Sequence, residues 1–480
     1  MAAPTTEHPA EPASPPATGP AHVPASRAER DEAGRAARKQ VPLAEHARLP
    51  EGLRADPVGL LEEQATTRVP ELVPIRYGRM LASPFAFYRG AALVMAHDLA
   101  QTPTTGLRVQ TCGDAHLLNF GLFGSPERRL VFDLNDFDET LPGPFDWDVK
   151  RLAASVAIAG RAAGIGGKRR RAAVVATVAA YRQAMRQFAE TGTLAVWYAR
   201  ADVEELKAVL AKEFSQRATD RALARAKTRD GQRSFSKLVR HVGGEPRIVS
   251  APPLIVPIED LLPEHDADAL LDTLTGVLRG YRRTLQPDRR HLLDQYRLVH
   301  VARKVVGVGS VGTRAWVLLL MDTDRSEPLF LQAKEAQTAV HARFAGRSAH
   351  ANQGQRVVLG QRLMQAASDI FLGWQRTTGV DGVQRDFYVR QLSDWKASIA
   401  VEALTAPTLT SYGKMCGWTL ARAHARSGDR IAIAAYLGSS DRFDQAVAEF
   451  SEAYADLNDA DHGALRAAVK SGRVTAETGV

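Results

Sequence analysis

The chain has 480 residues, which is enough for two average domains or for one large two-lobed enzyme. Hydrophobic residues make up 45% of it and charged residues 24%, as in ordinary soluble globular proteins. The 62 basic residues only slightly exceed the 54 acidic ones, and the basic run at 168–171 has no aromatic residues among it, which argues against nucleic acid as a partner.

In chain order, the first predicted segment is residues 1–45, rich in Pro, Ala, Thr and Glu and poor in large apolar side chains. Such a segment buries too little surface to offset the entropy lost on ordering, so we predict a disordered tail. Residues 46–295 are predicted to form a helical lobe, with an apolar helix over 91–99. Two strand-like runs in it, 107–111 and 129–132, each end in an acidic, polar loop.

Residues 296–395 are predicted to form a β-rich lobe. The runs 301–308, 315–321 and 328–333 carry the branched and aliphatic residues of strands, with turn residues between them. Apolar residues at intervals of three and four then predict a helix over 359–374. A small lobe built mainly from strands follows from this pattern.

Residues 396–480 are predicted to complete the helical lobe, with helices over 412–426 and 443–457. The chain therefore runs from a helical section through a sheet-containing section to a second helical section. This order predicts an α+β fold in which a small β-rich lobe is inserted between two parts of a large helical lobe.

The loop between the first two strand-like runs covers residues 112–120 and has the sequence Cys-Gly-Asp-Ala-His-Leu-Leu-Asn-Phe. Phosphoryl transfer needs a carboxylate to orient the attacking hydroxyl and oxygen ligands to hold magnesium. We predict Asp114 as the catalytic base and Asn119 as a metal ligand. His116 either shapes this loop through hydrogen bonds or takes part in proton transfer.

A second acidic loop, residues 133–139, follows the next strand-like run. Magnesium prefers carboxylate and carbonyl oxygens, so a carboxylate just beyond a strand is a suitable ligand. An isolated acidic loop is usually a solvated turn, but its pairing with the first loop favours a metal site. The candidates are Asp133, Asp136 and Asp138.

The pattern G-x-G-x-x-G occupies residues 307–312, between strand-like runs. Glycines there let backbone N–H groups approach phosphate oxygens. Because a strand follows the glycines, the pattern predicts a glycine-rich hairpin over phosphates and not a Rossmann turn, which would lead into a helix. The strand after the hairpin ends in a lysine amid apolar residues. The predicted nucleotide-binding residues are Gly307, Gly309, Ser310, Gly312 and Lys334.

Residues 113–119, Gly-Asp-Ala-His-Leu-Leu-Asn, resemble the G-D-x-H-x-x-N catalytic loop of aminoglycoside and choline-type phosphotransferases, which are relatives of protein kinases. Residues 136–139, with Phe-Asp-Trp-Asp at 145–148, are similar to their metal-binding D-F-x-D loop and the helix after it. The resemblance implies that Asp136 is the direct metal ligand. Cys112 stands where those enzymes have histidine.

The same stretches resemble a bacterial family known by its domain-of-unknown-function number, 2252, over about residues 76–461. This resemblance implies a kinase-like fold but no substrate. In kinases an acidic residue on the next helix pairs with the nucleotide-binding lysine. Glu335, Gln361 and Asp369 are candidates for that partner of Lys334, and the role stays unassigned.

The order of these segments is unusual for a kinase. Conventional kinases place the glycine loop and its lysine before the catalytic and metal loops, whereas here those two loops come first. The helix over 412–426 resembles the Leu-Ala-x-Leu-His helix that precedes the catalytic loop of phosphotransferases. Because the cyclic order is intact, we expect a circularly permuted, protein-kinase-like fold of two lobes.

We therefore expect magnesium-dependent transfer of the γ-phosphate of ATP to a hydroxyl of an unknown acceptor, with a small molecule favoured. A metal-dependent phosphoesterase is one alternative, with His265, His291 or His300 as further ligands. A non-catalytic, pseudokinase-like nucleotide-binding module is another, because Lys334 has no assigned acidic partner and histidine is missing before Gly113.

Two cysteines, Cys112 and Cys416, lie far apart without metal-ligand spacing, which predicts reduced thiols in a cytoplasmic protein. The N-terminal segment has no apolar core of a secretory signal. No apolar run approaches the roughly 20 residues needed to cross a bilayer. We expect a cytoplasmic protein without a membrane partner.

Overall fold

The computed structural model describes residues 25–50, 52, 54–203, 231–262, 267–305, 307–324, 327–379, 381–392 and 401–479. Within these ranges the fold is α+β. The helices are α1 (Arg27–Gln40), α2 (Pro57–Ala65), α3 (Val73–Leu81), α4 (Pro84–Gly90), α5 (Ala92–Leu99), α6 (Phe145–Ala162), α7 (Gly167–Glu190), α8 (Thr193–Tyr198), α9 (Gly231–Leu238), α10 (Ile258–Leu261), α11 (Ala267–Arg282), α12 (Pro287–Leu293), α13 (Ala342–Ala345), α14 (Gln353–Met364), α15 (Ala406–Ser427), α16 (Arg430–Leu437) and α17 (Arg442–Lys470).

Within the described ranges the strands form several antiparallel sheets. The largest has six strands, in the order Gly373–Thr378, Gln384–Gln391, Pro328–Ala336, Ala315–Asp322, Tyr296–Lys304 and Ile255–Pro257. The strands are β1 (Arg108–Thr111), β2 (Phe120–Gly124), β3 (Leu130–Leu134), β4 (Leu141–Pro144), β5 (Ala201–Asp202), β6 (Val239–Val242), β7 (Glu245–Ile248), β8 (Ile255–Pro257), β9 (Tyr296–Lys304), β10 (Ala315–Asp322), β11 (Pro328–Ala336), β12 (Gly373–Thr378) and β13 (Gln384–Gln391). The predicted strands over 315–321 and 328–333 are confirmed as β10 and β11.

Both faces of the six-stranded sheet are covered. On β10, Leu318 and Leu320 belong to one apolar cluster, whereas Val317 and Leu319 belong to another. Successive side chains of a strand point to opposite faces, so this alternation buries the sheet on both sides.

The main core lies in the helical part of the chain, where α7 and α15 pack closely. Gly413 and Gly417 of α15 face Thr177 of α7, and a Cβ at Gly417 would stand 2.3 Å from the Thr177 carbonyl oxygen. The missing side chains allow the two backbones to touch. Helix α15 thereby becomes a fixed base for the loops above it.

The prediction of disorder over residues 1–45 is wrong for its later part, because Arg27–Gln40 is a helix. Residues 1–24 lie outside the described residues. The helix packs through a glycine: a Cβ at Gly34 would stand 2.1 Å from the Ala432 carbonyl oxygen of α16. Small residues allow this close contact between the two helices. The prediction of disorder rested on the scarcity of large apolar side chains and did not take small residues into account.

The predicted helix over 359–374 is also wrong in extent, since α14 ends at Met364 and Gly373 begins strand β12. The backbone after α14 is held by side chains of other elements. Arg422 donates to the Met364 carbonyl at 2.7 Å, and the Ala366 N–H donates to Asp133 at 2.9 Å. These bonds replace the helical ones and turn the chain back toward the sheet.

Across the ranges described above, every helix is too short or too polar to span a bilayer.

Candidate functional site

The predicted catalytic loop after β1 is held by a buried carboxylate of α6. Asp148 accepts hydrogen bonds from the backbone N–H groups of Cys112 at 2.7 Å and Gly113 at 3.0 Å. The His424 Nε2 atom of α15 lies 3.2 Å from the same carboxylate, and its Nδ1 atom lies 2.9 Å from the Tyr181 hydroxyl. This buried chain of contacts fixes the loop on the helical core.

Asp114 projects from this loop and is held by an arginine. Arg151 of α6 donates from Nε to the Asp114 Oδ1 atom at 2.9 Å, and its Nη2 atom lies 2.8 Å from the same oxygen. The Arg151 guanidinium also stacks over the Tyr88 ring at 3.8 Å. One carboxylate oxygen of Asp114 is thus fixed, and the side chain keeps 18% of its surface exposed.

The other two predicted residues of this loop differ in their surroundings. His116 is buried, its Nε2 atom lies 3.8 Å from Asp114 Oδ2, and burial lowers its pKa to about 3. His116 is therefore neutral near pH 7. Asn119 donates its amide N–H to the Asp114 carbonyl at 2.7 Å, so its amide oxygen is the atom that can bind a cation.

The predicted metal loop lies directly beside the catalytic loop. The Asn135 N–H donates to the Asn119 carbonyl at 2.9 Å, which joins the two loops. Asp136 follows this contact and has 33% of its side chain exposed. Burial raises the pKa of Asp136, but the charges of Lys334 and Arg390 outweigh it and leave the pKa below its usual value.

Asp133 does not belong to this site. It is buried and forms an ion pair with Arg422 of α15. Its carboxylate also accepts the Ala366 N–H. Asp133 therefore fixes the chain after α14, although its place in the acidic loop made it a candidate ligand.

Lys334, near the end of β11, is buried and reaches the acidic loop. Its ammonium contacts the Asp138 carboxylate and lies 3.8 Å from Asp136 Oδ2. Burial lowers the pKa of Lys334, but the two aspartates more than offset this and raise it above its usual value. Asp138 also accepts hydrogen bonds from the Tyr388 hydroxyl at 2.7 Å and from Ser310 Oγ at 3.2 Å.

The three candidate partners of Lys334 point elsewhere. Glu335 accepts the Arg314 N–H at 3.1 Å, and Asp369 accepts the Phe371 N–H at 2.8 Å. Gln361 donates to Gln365 at 2.9 Å. The acidic partner of Lys334 in this structure is Asp138 of the metal loop.

The predicted glycine-rich segment joins β9 to β10 and contains a short 3-10 turn, Val308–Ser310. Arg68 donates to the carbonyls of Gly309, at 3.0 Å, and Val311. Gly312 has a φ of +90° and packs against the aliphatic part of the Arg68 side chain. An arginine from the helical part of the chain therefore fixes the shape of the turn.

These segments surround one cavity of about 150 Å³. Of the predicted site residues, those that line it are Asp114, His116, Asn119, Asp136, Asp138, Gly307, Gly309, Ser310 and Lys334. Gly312 is the predicted site residue that does not line it. Six further polar residues line it that are not among the predicted site residues, namely Gln64, Arg68, Arg89, Glu139, Gln332 and Arg390.

Some of the missed residues had a signal in the sequence. Glu139 ends the acidic loop itself, and Arg390 lies on the predicted strand after the long helix. Arg68 and Arg89 lie more than 200 positions before the turn that they contact. Arg68 and Gly309, for example, are 241 positions apart. Only the folded chain brings them to the cavity.

Glu139 lies between the metal loop and the segment after β11. It is partly buried, and this burial raises its pKa from an ordinary 4.5 to about 7. Its carboxylate accepts the Val340 N–H at 2.7 Å. Across Asp138, Glu139, Gly309 and Ser310 the small cavity adjoins a larger one of about 1100 Å³.

The site offers few donor atoms for a metal ion. Among the residues with described positions, no three His, Cys, Asp or Glu side chains form a group that would hold a metal ion by themselves. Magnesium is commonly bound by one or two protein oxygens with waters and substrate phosphates. The Asn119 amide oxygen and the Asp136 carboxylate on joined loops fit that sparse pattern.

Comparisons with known proteins give a family but no characterised relative. A family model described as "Uncharacterized protein conserved in bacteria (DUF2252)" matches residues 68–468. No curated protein matches, and no solved structure matches.

Proposed function

Since the chain belongs to the bacterial family DUF2252, whose description names no activity, we propose from its site that it is a magnesium-dependent phosphotransferase. It would move the γ-phosphate of ATP to a hydroxyl of an unidentified acceptor, with a small molecule favoured. One observation carries the proposal: Asp114, Asp136 and Lys334 line a single cavity beside a glycine-rich turn. These are the parts that phosphoryl transfer requires.

Asp114 is proposed as the base. Arg151 fixes its Oδ1 atom, so Oδ2 is the atom that would orient the acceptor hydroxyl and accept its proton. His116 is proposed as a positioning residue, because it is neutral and its Nε2 atom lies beside Oδ2. Asp148 supports both by holding the backbone before Asp114.

Asp136 and Asn119 are proposed as the metal ligands and Lys334 as the residue that contacts the nucleotide phosphates. Magnesium bound there would neutralise charge on the β- and γ-phosphates. Asp138 is better explained as the partner of Lys334. Its carboxylate already contacts three side chains, those of Lys334, Ser310 and Tyr388. Asp136 has fewer protein contacts and remains open to a cation.

The size of the cavity limits what it can hold. Pockets that bind small organic ligands usually measure about 300–1,000 Å³, so 150 Å³ suits phosphates and a metal but not a whole nucleotide. The hydrogen bond from Ser310 to Asp138 closes the glycine-rich turn onto the acidic loop. We expect nucleotide binding to break that bond and lift the turn.

A circularly permuted kinase fold is part of the proposal. Helix α15 ends at Ser427, whose Oγ atom accepts the Gln110 N–H at 3.2 Å. The next residue, Gly428, packs against Val109 of β1. In a conventional kinase the corresponding helix leads into the catalytic loop, and here its end lies beside the strand that enters that loop. The glycine-rich turn, the lysine strand, α14 and then β12 and β13 follow in kinase order.

The geometry gives less support to a phosphoesterase. His300 contacts Glu259 at 2.9 Å and accepts the Ile248 N–H at 3.1 Å, so it has a structural role outside the cavity. His291 lies exposed on α12, and His265 lies outside the described residues. A non-catalytic nucleotide-binding module would have the same cavity as an enzyme. Only a measurement of phosphate transfer to an acceptor distinguishes the two.

The experiment is an unbiased metabolite screen with γ-labelled ATP and magnesium, followed by kinetics of Asp114→Asn and Asp136→Asn with the acceptor found. Each variant is expected to lose about 10²–10⁴-fold in kcat, the usual contribution of a catalytic base or an essential metal ligand. The control is Asp459→Asn, a surface carboxylate paired with Arg161. Wild-type activity in either site variant would refute its role.

The screen also separates the alternatives. Binding of MgATP without transfer to any acceptor would favour the non-catalytic module. Hydrolysis of phosphoesters in the absence of ATP would favour the phosphoesterase.

A further inference from the structure

We propose that Arg89 binds the γ-phosphate of the nucleotide, an inference that rests on the proposed phosphotransferase function. Arg89 lies in the last turn of α4, in the helical part of the chain, and lines the same cavity as Lys334 and Asp114. In the sequence alone, Arg89 is a candidate for binding an anionic group, with a structural ion pair as the favoured alternative. The structure adds three observations that point to a phosphate.

The first observation is its position beneath the glycine-rich turn. A Cβ at Gly307 would stand 3.9 Å from the Arg89 Nη2 atom, and a Cβ at Gly309 would stand 3.2 Å from the Arg89 carbonyl oxygen. Helix α4 also packs against the turn Val308–Ser310. Arg89 therefore lies where the glycine-rich turn would cover the phosphates of a nucleotide.

The second observation is that its guanidinium has no partner among the described residues. Its Nε atom is buried without a hydrogen bond. Among the described residues no carboxylate forms an ion pair with it, and the charges of Asp114, Glu402 and Asp136 act on it only from a greater distance. The other two arginines of the cavity are engaged. Arg68 donates to the carbonyls of the turn, and Arg390 donates to the Asn135 carbonyl at 3.1 Å. An unpaired cation in a partly buried position is costly to the fold unless a ligand compensates for it.

The third observation concerns charge. Lys334 already has Asp136 and Asp138 as counter-charges, so its positive charge is largely neutralised before a phosphate arrives. Arg89 brings a positive charge that no described side chain pairs with, on the same cavity. A guanidinium presents N–H groups in a planar fork that matches two phosphate oxygens, which makes it suited to a terminal phosphoryl group.

Arg89 would take no covalent part in the transfer of the phosphoryl group. The acceptor oxygen forms a bond to the γ-phosphorus, the bond to the β–γ bridging oxygen breaks and leaves ADP, and the acceptor proton passes to Asp114. Arg89 forms no covalent bond and keeps its proton. Its N–H groups would stabilise the negative charge on the oxygens of the transferred group.

The test uses the full chain with Arg89→Met, Arg89→Lys and, as control, Arg303→Met, which removes an arginine paired with Glu71 away from the cavity. Calorimetry measures the Kd of MgATP, MgADP and magnesium pyrophosphate. Arg89→Met is expected to weaken MgATP binding about 10- to 100-fold, as for loss of a charge-assisted hydrogen bond, and to leave MgADP binding unchanged. The Kd of Arg89→Lys for MgATP should lie between those of wild type and Arg89→Met, and the Kd of Arg303→Met should equal that of wild type.

Several results would overturn the inference. Arg89→Met could bind MgATP as tightly as wild type, or weaken MgATP and MgADP equally. Circular dichroism could show that both Arg89 variants unfold, which would make the residue structural. Wild type could bind neither MgATP nor magnesium pyrophosphate.

The two proposals can fail separately. Wild type that binds MgATP through Arg89 but transfers phosphate to no acceptor would keep the Arg89 site and refute the enzyme. Wild type that transfers phosphate at the same kcat and KM as Arg89→Met would keep the enzyme and refute the Arg89 site.

Discussion

The ammonium of Lys334 contacts the carboxylate of Asp138, which lies 196 positions earlier in the chain. The same carboxylate accepts hydrogen bonds from Ser310 and Tyr388. A single aspartate therefore joins the glycine-rich turn, the lysine strand and the neighbouring strand to the acidic loop. The two distant parts of the proposed site meet at this residue.

This contact predicts energetic coupling between the two residues. Lys334→Met is expected to lower the free energy of unfolding by about 2–4 kcal/mol, because it leaves the partly buried carboxylates of Asp136 and Asp138 without their counter-charge. The lower part of that range is expected, since 25% of the Asp138 side chain is exposed. Urea denaturation of Lys334→Met, Asp138→Asn and the double variant should give a coupling of about 1–3 kcal/mol. Effects that add within about 0.5 kcal/mol would show that the two side chains do not interact.

The backbone before Asp114 allows a second prediction with a matched control. Gly113 has a φ of +80°, and a Cβ there would stand 2.2 Å from the Glu139 carbonyl oxygen. Gly106 has a φ of +73°, and a Cβ there would have nothing within 4 Å. Both alanine variants suffer left-handed strain of about 1–2 kcal/mol, but only Gly113→Ala adds a clash.

Gly113→Ala should therefore be less stable than Gly106→Ala by roughly 1–3 kcal/mol, the usual cost of overpacking. Thermal and urea unfolding of the two variants measure this difference. Because the clash displaces the loop that carries Asp114, Gly113→Ala should also lose phosphate transfer while Gly106→Ala keeps it. Equal stabilities would mean that the loop does not lie against Glu139.

Glu139 makes stability depend on pH. Burial raises its folded-state pKa from 4.5 to about 7. The folded protein then holds this proton up to about pH 7, whereas the unfolded chain releases it near pH 4.5. The protonated Glu139 side chain therefore makes its full contribution to the free energy of unfolding below about pH 4.5. This contribution falls by about 3 kcal/mol in total as the pH rises to about 7.

Glu139→Gln removes this titration and keeps an oxygen that can accept the Val340 N–H. The variant should match wild type near pH 4.5 and be more stable by about 3 kcal/mol at pH 8. Urea denaturation of both proteins across this range gives the comparison, and other titrating groups such as His116 cancel in the difference. A constant difference between pH 5 and 8 would contradict a raised pKa.

The loops of the site could be predicted from the sequence because their chemistry is local. Asp114 and Asn119 lie on one short loop, and the glycines and Lys334 follow strands with a clear apolar pattern. Spacing and residue type are enough for such segments. The prediction that they meet at one cavity rested on their cyclic order, and nine of the ten predicted site residues line that cavity.

The contacts that hold these loops could not be predicted, because they join residues distant in sequence. Asp148 and His424 are 276 positions apart, and their contact exists only in the folded core. The ordered helix Arg27–Gln40 was missed for a different reason. Its local signal, the capping box between Ser26 and Glu29, was present in the sequence, whereas its contact with α16 joins residues distant in the chain. Arg89 is a candidate anion-binding residue from the sequence, but only the folded chain shows that its buried Nε atom has no hydrogen-bond partner.

Arg356 of α14 leads to the last prediction, because it holds the acidic loop through three backbone carbonyls. Its guanidinium donates to the carbonyls of Thr140 at 2.6 Å, Asp138 at 2.8 Å and Gln337 at 2.8 Å. Arg356→Met leaves these three carbonyls without a donor, and each buried, unpaired group costs about 1–3 kcal/mol. We expect a loss of at least about 3 kcal/mol in the free energy of unfolding.

The matched control is Arg362→Met on the same helix, because Arg362 donates to the Leu372 carbonyl at 2.5 Å, away from the acidic loop. Hydrogen exchange of peptides that cover residues 136–141 measures the local effect. Arg356→Met should speed exchange there, since the loop loses its link to α14, whereas Arg362→Met should leave it unchanged. Equal exchange in the two variants would mean that Arg356 does not hold the loop, and Asp136 would then be positioned by Lys334 and Arg390 alone.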